Sequence, residues 1–181
     1  MKINIASNEI IHFIGIGGIG MSGLAQIMNN MGFTVQGSDL SFNKNTDRLL
    51  NLGIKVYLGH NKKNISKATM AVVSSAIKKN NKELIVFRRK KLPIFKRGKM
   101  LANIVALKKN IVITGSHGKT TTTSLIANIL EKSGLDPTVI NGGIINAIKN
   151  SARLGKSDWA VIESDESDGS FLQLPITYSV I

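Results

Sequence analysis

Two glycine-rich turns, each set between a short apolar run and an amphipathic stretch, constrain this chain more than anything else in it. The first, Gly15-Ile16-Gly17-Gly18-Ile19-Gly20, follows an apolar run over 10–16 and precedes residues 20–31, where Met21, Leu24, Ala25, Ile27 and Met28 recur at helical spacing. The second, Thr114-Gly115-Ser116-His117-Gly118-Lys119-Thr120-Thr121, follows a strand expected over 110–114 and opens a helix expected over 119–132. A strand that turns through glycines straight into a helix leaves backbone N–H groups aimed out of the helix's positive end, which suits a phosphate. Two such units point to parallel sheet with helical crossovers rather than an all-α or all-β fold.

The stretches between the turns keep the same rhythm. Strands are expected over 33–37, 55–58, 70–74 and near 93–95, with helices over 46–52, 80–89 and 101–107. Lys108-Lys109-Asn110 is a polar break, after which the rhythm restarts with strands over 137–140, 159–163 and 174–181. The expected fold is α/β, a Rossmann-like parallel-sheet domain over 1–107 followed by an incomplete P-loop α/β ATPase domain over 108–181.

Composition narrows the class. With 43% hydrophobic residues in 181, the chain can bury a core. It has no cysteine, which excludes disulfides and thiolate chemistry. No apolar run approaches the roughly 18 residues needed to cross a bilayer, and no signal-peptide pattern opens the chain, so a cytoplasmic location is expected. The net charge of +13 is concentrated between Lys78 and Lys99, where ten cations face Glu83 alone. With only 5% aromatic residues and no recognised nucleic-acid module, that run reads as a solvated face, and no nucleic-acid partner is expected.

The first turn satisfies G-x-G-x-x-G, so Gly15, Gly17, Gly18, Ile19 and Gly20 are candidate ligand-binding residues. Asp39, 19 residues beyond Gly20, stands where dinucleotide folds place a ribose-binding acid. Taken alone, this half also suits an NAD-dependent oxidoreductase. In the second turn Gly115, Ser116, His117, Gly118, Lys119, Thr120 and Thr121 are candidates for ATP, with Lys119 neutralising phosphate charge and Thr120 holding Mg2+. This turn departs from the G-x-x-x-x-G-K-[ST] spacing, because Ile113 occupies the first glycine position and the glycine falls at 115. Glu163 heads the acidic run Glu163-Ser164-Asp165-Glu166-Ser167-Asp168 after an apolar strand, the place of a second Mg2+ ligand. His12 and His60 carry little signal of their own.

With these motifs in hand, the chain resembles the Mur ligases of peptidoglycan synthesis. The resemblance rests on the segments 12–23, Gly37-Ser38-Asp39, Val73-Ser74-Ser75-Ala76-Ile77, 114–123, Asn141-Gly142-Gly143 and 163–171, which occur in the family's order. It implies a UDP-sugar on the first turn with Ser74 and Ser75 near it, and Asn141, Gly142 and Gly143 beside the muramyl group. It also implies ATP and Mg2+ on the second turn, with Lys119 as the catalytic cation. Within the family the segments suit a member that joins L-alanine to UDP-N-acetylmuramate through an acyl phosphate, with the murein-peptide ligases as the alternative. The chain stops at Ile181, in what reads as a central-domain strand, so the resemblance leads to the expectation of a fragment, inactive alone, or a non-catalytic nucleotide-binding module.

Overall fold

The computed structural model describes residues 8–145, 150–164 and 176–181. The chain divides into two compact units, with the division between Arg97 and Gly98. The polar break at 108–110 therefore falls inside the C-terminal unit, and the helix that precedes it, α4 (Arg97–Val105), groups with that unit rather than with the first.

The N-terminal unit holds β1 (Ile10–Ile14), α1 (Ile19–Asn30), β2 (Thr34–Asp39), α2 (Lys44–Asn51), β3 (Lys55–Leu58), β4 (Met70–Val73), α3 (Lys82–Arg89) and β5 (Ile94–Lys96). A 3-10 turn, Lys62–Ile65, links β3 to β4. Its five strands are all parallel in the order β3-β2-β1-β4-β5. The order reverses direction at β1, and in such sheets ligands bind outside the carboxyl ends of the strands at the reversal. Ile11, Phe13 and Ile14 of β1 are wholly buried, as a central strand covered on both faces requires. Beside it Ile14, Ala71, Val73, Leu84 and Phe87 form one apolar cluster under α3.

The C-terminal unit holds β6 (Lys109–Ile113), α5 (Lys119–Lys132), β7 (Thr138–Ile145), β8 (Asn150–Arg153), β9 (Trp159–Glu163) and β10 (Tyr178–Val180). The sheet order is β10-β6-β9-β7-β8. Four of these strands run parallel, but β8 returns antiparallel against β7, so the sheet is mixed at that edge. Ile113, Ala127, Val139 and Val161 make the core between α5 and the sheet. Gly155 is obligatory after β8, because a Cβ there would collide with the backbone of Asp136 and Pro137. Among the described residues no helix is long and apolar enough to cross a membrane.

Candidate functional site

In the N-terminal unit, the candidate residues gather at the carboxyl ends of the strands. The glycine-rich loop follows β1, Asp39 ends β2, Gly59-His60 follows β3, Ser74 follows β4 and Arg97 follows β5. The loop is tied to β2: Gly15 and Ile16 donate their N–H groups to the Ser38 carbonyl at 2.8 and 3.0 Å. The Gly17 N–H donates to Asp39 Oδ2 at 2.7 Å, and the Leu40 N–H donates to Asp39 Oδ1 at 2.8 Å. Both oxygens of the expected ribose acid are thus engaged by backbone. A side chain at Gly17 would displace the Asp39 carboxylate and the Asn43 amide, since a Cβ would stand 2.9 Å from Asp39 Oδ2 and 2.9 Å from Asn43 Nδ2. Asn43 and Asn45 both reach the Gly17 carbonyl, at 3.3 and 2.8 Å. Gly18 caps α1 without a side chain, and Ile19 opens the helix. The Arg97 guanidinium lies against Gly20, where a Cβ would stand 2.9 Å from Nη1. Ser74 is half-buried under Gly15, while Ser75 is exposed.

Beneath this loop lies a buried polar network. Glu83, wholly buried on α3, accepts on Oε2 from Ser38 Oγ–H at 2.6 Å and pairs with His12 Nε2 at 3.1 Å. Its Oε1 accepts from Asn61 N–H at 3.1 Å and Asn64 Nδ2 at 2.7 Å. His60 Nδ1 lies 2.8 Å from Ser38 Oγ. Burial alone would raise the Glu83 carboxyl, but His12, Ser38 and Asn64 outweigh it and hold the group below the usual carboxylate range. Glu83, Ser38 and the buried His12 had no functional assignment from sequence. The available signal was Glu83 itself, one acid within a run of ten cations.

In the C-terminal unit β6 and β9 are neighbours with Ile113 opposite Glu163, which brings the second loop and the acidic strand end together. Thr120 Oγ1 donates to Glu163 Oε2 at 3.0 Å. Lys119 Nζ donates to the Gly115 carbonyl at 2.5 Å, so the ammonium folds back over the loop. Gly118 caps α5 at φ +77°, a left-handed conformation that favours glycine at this turn. Ser116 and His117 are exposed, and Thr121 is exposed on the first turn of α5. A hydroxyl and a carboxylate oxygen converging at a strand end are hard donors suited to Mg2+, which takes few protein ligands and completes its shell with phosphate and water. Asn141 is buried on β7, and neither side-chain polar atom has a partner among the described residues. Gly142 and Gly143 continue that strand. Asp165, Glu166, Ser167 and Asp168 lie outside the described residues.

Known proteins share this arrangement. Residues 10–109 match the Mur ligase family, catalytic domain, and residues 113–168 match the Mur ligase middle domain. The chain is 67% identical over its whole length to the UDP-N-acetylmuramate--L-alanine ligase of Pelagibacter ubique, and 58% identical over 94% of its length to that of Azorhizobium caulinodans. It spans 39% and 37% of those two relatives. The UDP-N-acetylmuramate-alanine ligase of Thermotoga maritima superposes with a TM-score of 0.87 at 32% identity, over 93% of this chain and 40% of that one. The UDP-N-acetylmuramate:L-alanyl-gamma-D-glutamyl-meso-diaminopimelate ligase of Neisseria meningitides superposes with a TM-score of 0.89 at 32% identity, over 96% of this chain and 60% of that one. More than half of the chain matches one family across the first loop, the whole first sheet and the entry to the second, and the chain belongs to the Mur ligase family.

Proposed function

We propose that this chain carries the UDP-sugar and ATP sites of a cytoplasmic ligase that joins L-alanine to UDP-N-acetylmuramate in peptidoglycan precursor synthesis. The observation that carries the proposal is the Thr120–Glu163 pair at 3.0 Å, oxygen donors suited to a metal and adjacent in the chain to Lys119, in a unit separate from the first glycine loop. Hydride transfer has no use for such a site. The 67% and 58% identities to two alanine-adding relatives favour alanine as the amine.

In this reading Gly15, Gly17, Gly18, Ile19 and Gly20 face the diphosphate, with Arg97 supplying a cation and Ser74 and Ser75 lining the other side. Exposed Leu40 and Leu58, at the ends of β2 and β3, give apolar surface for a base. Gly115, Ser116, His117, Gly118 and Thr121 cradle ATP, and Thr120 and Glu163 hold Mg2+, which supplies charge neutralisation at the phosphates when bound. A carboxylate attacking a terminal phosphate is an anion approaching an anion. Lys119 leaves the Gly115 carbonyl to meet that phosphate, lowering the repulsion as the carboxylate–phosphorus bond forms, the bond to the bridging oxygen breaks, and ADP leaves. Asn141, Gly142 and Gly143 stand beside the muramyl group. Calorimetric titration of the chain with UDP-N-acetylmuramate, Mg-ATP and NADH tests the proposal: the first two are expected to bind, and tighter binding of NADH would overturn it.

A further inference from the structure

With Glu83 ionised, the hydrogen bonds around it assign the neighbouring protons. Gln36 Nε2 lies 2.9 Å from the Asn64 carbonyl oxygen, so that atom is the amide nitrogen and a donor. The same nitrogen lies 3.2 Å from His12 Nδ1, which must therefore accept and carry no proton. His12 is then the neutral Nε2–H form, and Nε2 donates to Glu83 Oε2. Ser38 spends its hydroxyl proton on that oxygen, so Ser38 Oγ accepts from His60 Nδ1–H. Asn64 Nδ2 is fixed in the same way, by the Gly59 carbonyl at 2.9 Å. Glu83 thus receives four donors, two on each oxygen, and returns none.

Ser38 connects this carboxylate to the surface. Its side chain is held from below by Glu83, while its carbonyl holds the Gly15 and Ile16 N–H groups and the next residue, Asp39, holds Gly17. We infer that Glu83 is a positioning residue: through Ser38 it fixes the end of β2 that shapes the first glycine-rich loop, and so sets that loop's affinity for a nucleoside diphosphate. The inference rests on the proposed diphosphate site. An amide cannot replace the carboxylate, because its NH2 would face two donors whichever way it turned.

The test uses the full chain and UDP as the probe, at a temperature where circular dichroism shows each variant fully folded. Glu83→Gln is expected to weaken UDP binding at least tenfold, to leave Mg-ATP binding within twofold, and to shift the amide resonances of Gly15, Ile16 and Gly17 together with the His12 ring nitrogens. A merely structural carboxylate would lower the melting temperature while folded protein bound UDP normally. UDP affinity within twofold of the parent, with unmoved loop amides, would overturn the inference. If Glu83→Gln does not fold, Ser38→Ala takes its place. That variant keeps the carbonyl but cuts the link to Glu83, and the same two thresholds decide. Failure of the parent chain to bind UDP would overturn the diphosphate reading instead, and the loop-amide shifts would still judge whether Glu83 holds the loop.

Discussion

Lys119 shows how one side chain can be poised for a ligand. Its ammonium bonds the Gly115 carbonyl inside its own loop, a neutral acceptor that a phosphate oxygen would outcompete. Replacing Lys119 with Ala removes a charge-assisted contact worth about 2 kcal/mol, so Mg-ATP binding should weaken about thirtyfold by calorimetry. UDP-N-acetylmuramate binding should not change, and an equal loss for both ligands would mean a single shared site. Glu83 makes a different prediction, about acid. Its carboxyl lies below the ordinary range in the fold, so its contribution is complete above about pH 4.3 and is lost as pH falls through the ordinary value toward the folded one. The stability gap between the parent chain and Glu83→Gln, from urea midpoints across pH, should therefore close below pH 4; a gap independent of pH would contradict the assignment. The glycines and Lys119 were legible in the sequence because their chemistry depends on local spacing. Glu83 was not, because its four donors come from β1, β2 and the segment after β3, brought together only by the sheet.

Elements followed the sequence where local signals and packing agreed. β3, α5 and β9 have the bounds that apolar pattern and turn residues predict. α2 begins earlier than its apolar residues suggest, at Lys44 rather than residue 46, because Asn43 and Thr46 form a reciprocal capping box that draws the start back. β8 was missed, since Asn150-Ser151-Ala152-Arg153 has no strand alternation and is placed by pairing with β7. The capping box gives the element-scale prediction. Asn43 accepts from Asn45 and Thr46 N–H and also reaches the Gly17 carbonyl, so it joins a helix start to the ligand loop. Asn43→Ala should cost about 1 kcal/mol, seen as a lower urea midpoint, whereas Asn43→Ser should keep most of the cap. Equal losses for the two variants would show that the cap contributes nothing.

At the scale of the whole chain, the same device occurs twice: a parallel sheet, a glycine turn at the end of an inner strand, and a residue from a neighbouring strand that fixes the site. In the first unit that residue is Asp39, from β2 beside β1. In the second it is Glu163, from β9 beside β6. We expect each unit to answer to its own ligand. A ligand that binds only the folded form stabilises what it binds by about 2.7 kcal/mol when present at one hundred times its Kd. UDP-N-acetylmuramate should therefore slow amide hydrogen exchange across residues 8–97, most at the loop following β1 and at the end of β2. Mg-ATP should slow it across the described residues of 98–181, most at the loop preceding α5. Exchange measured with each ligand alone, then with both, decides the matter, and the two patterns should add. If either ligand protected both units equally, the chain would behave as one cooperative body, and the division between UDP-sugar and ATP sites would fall.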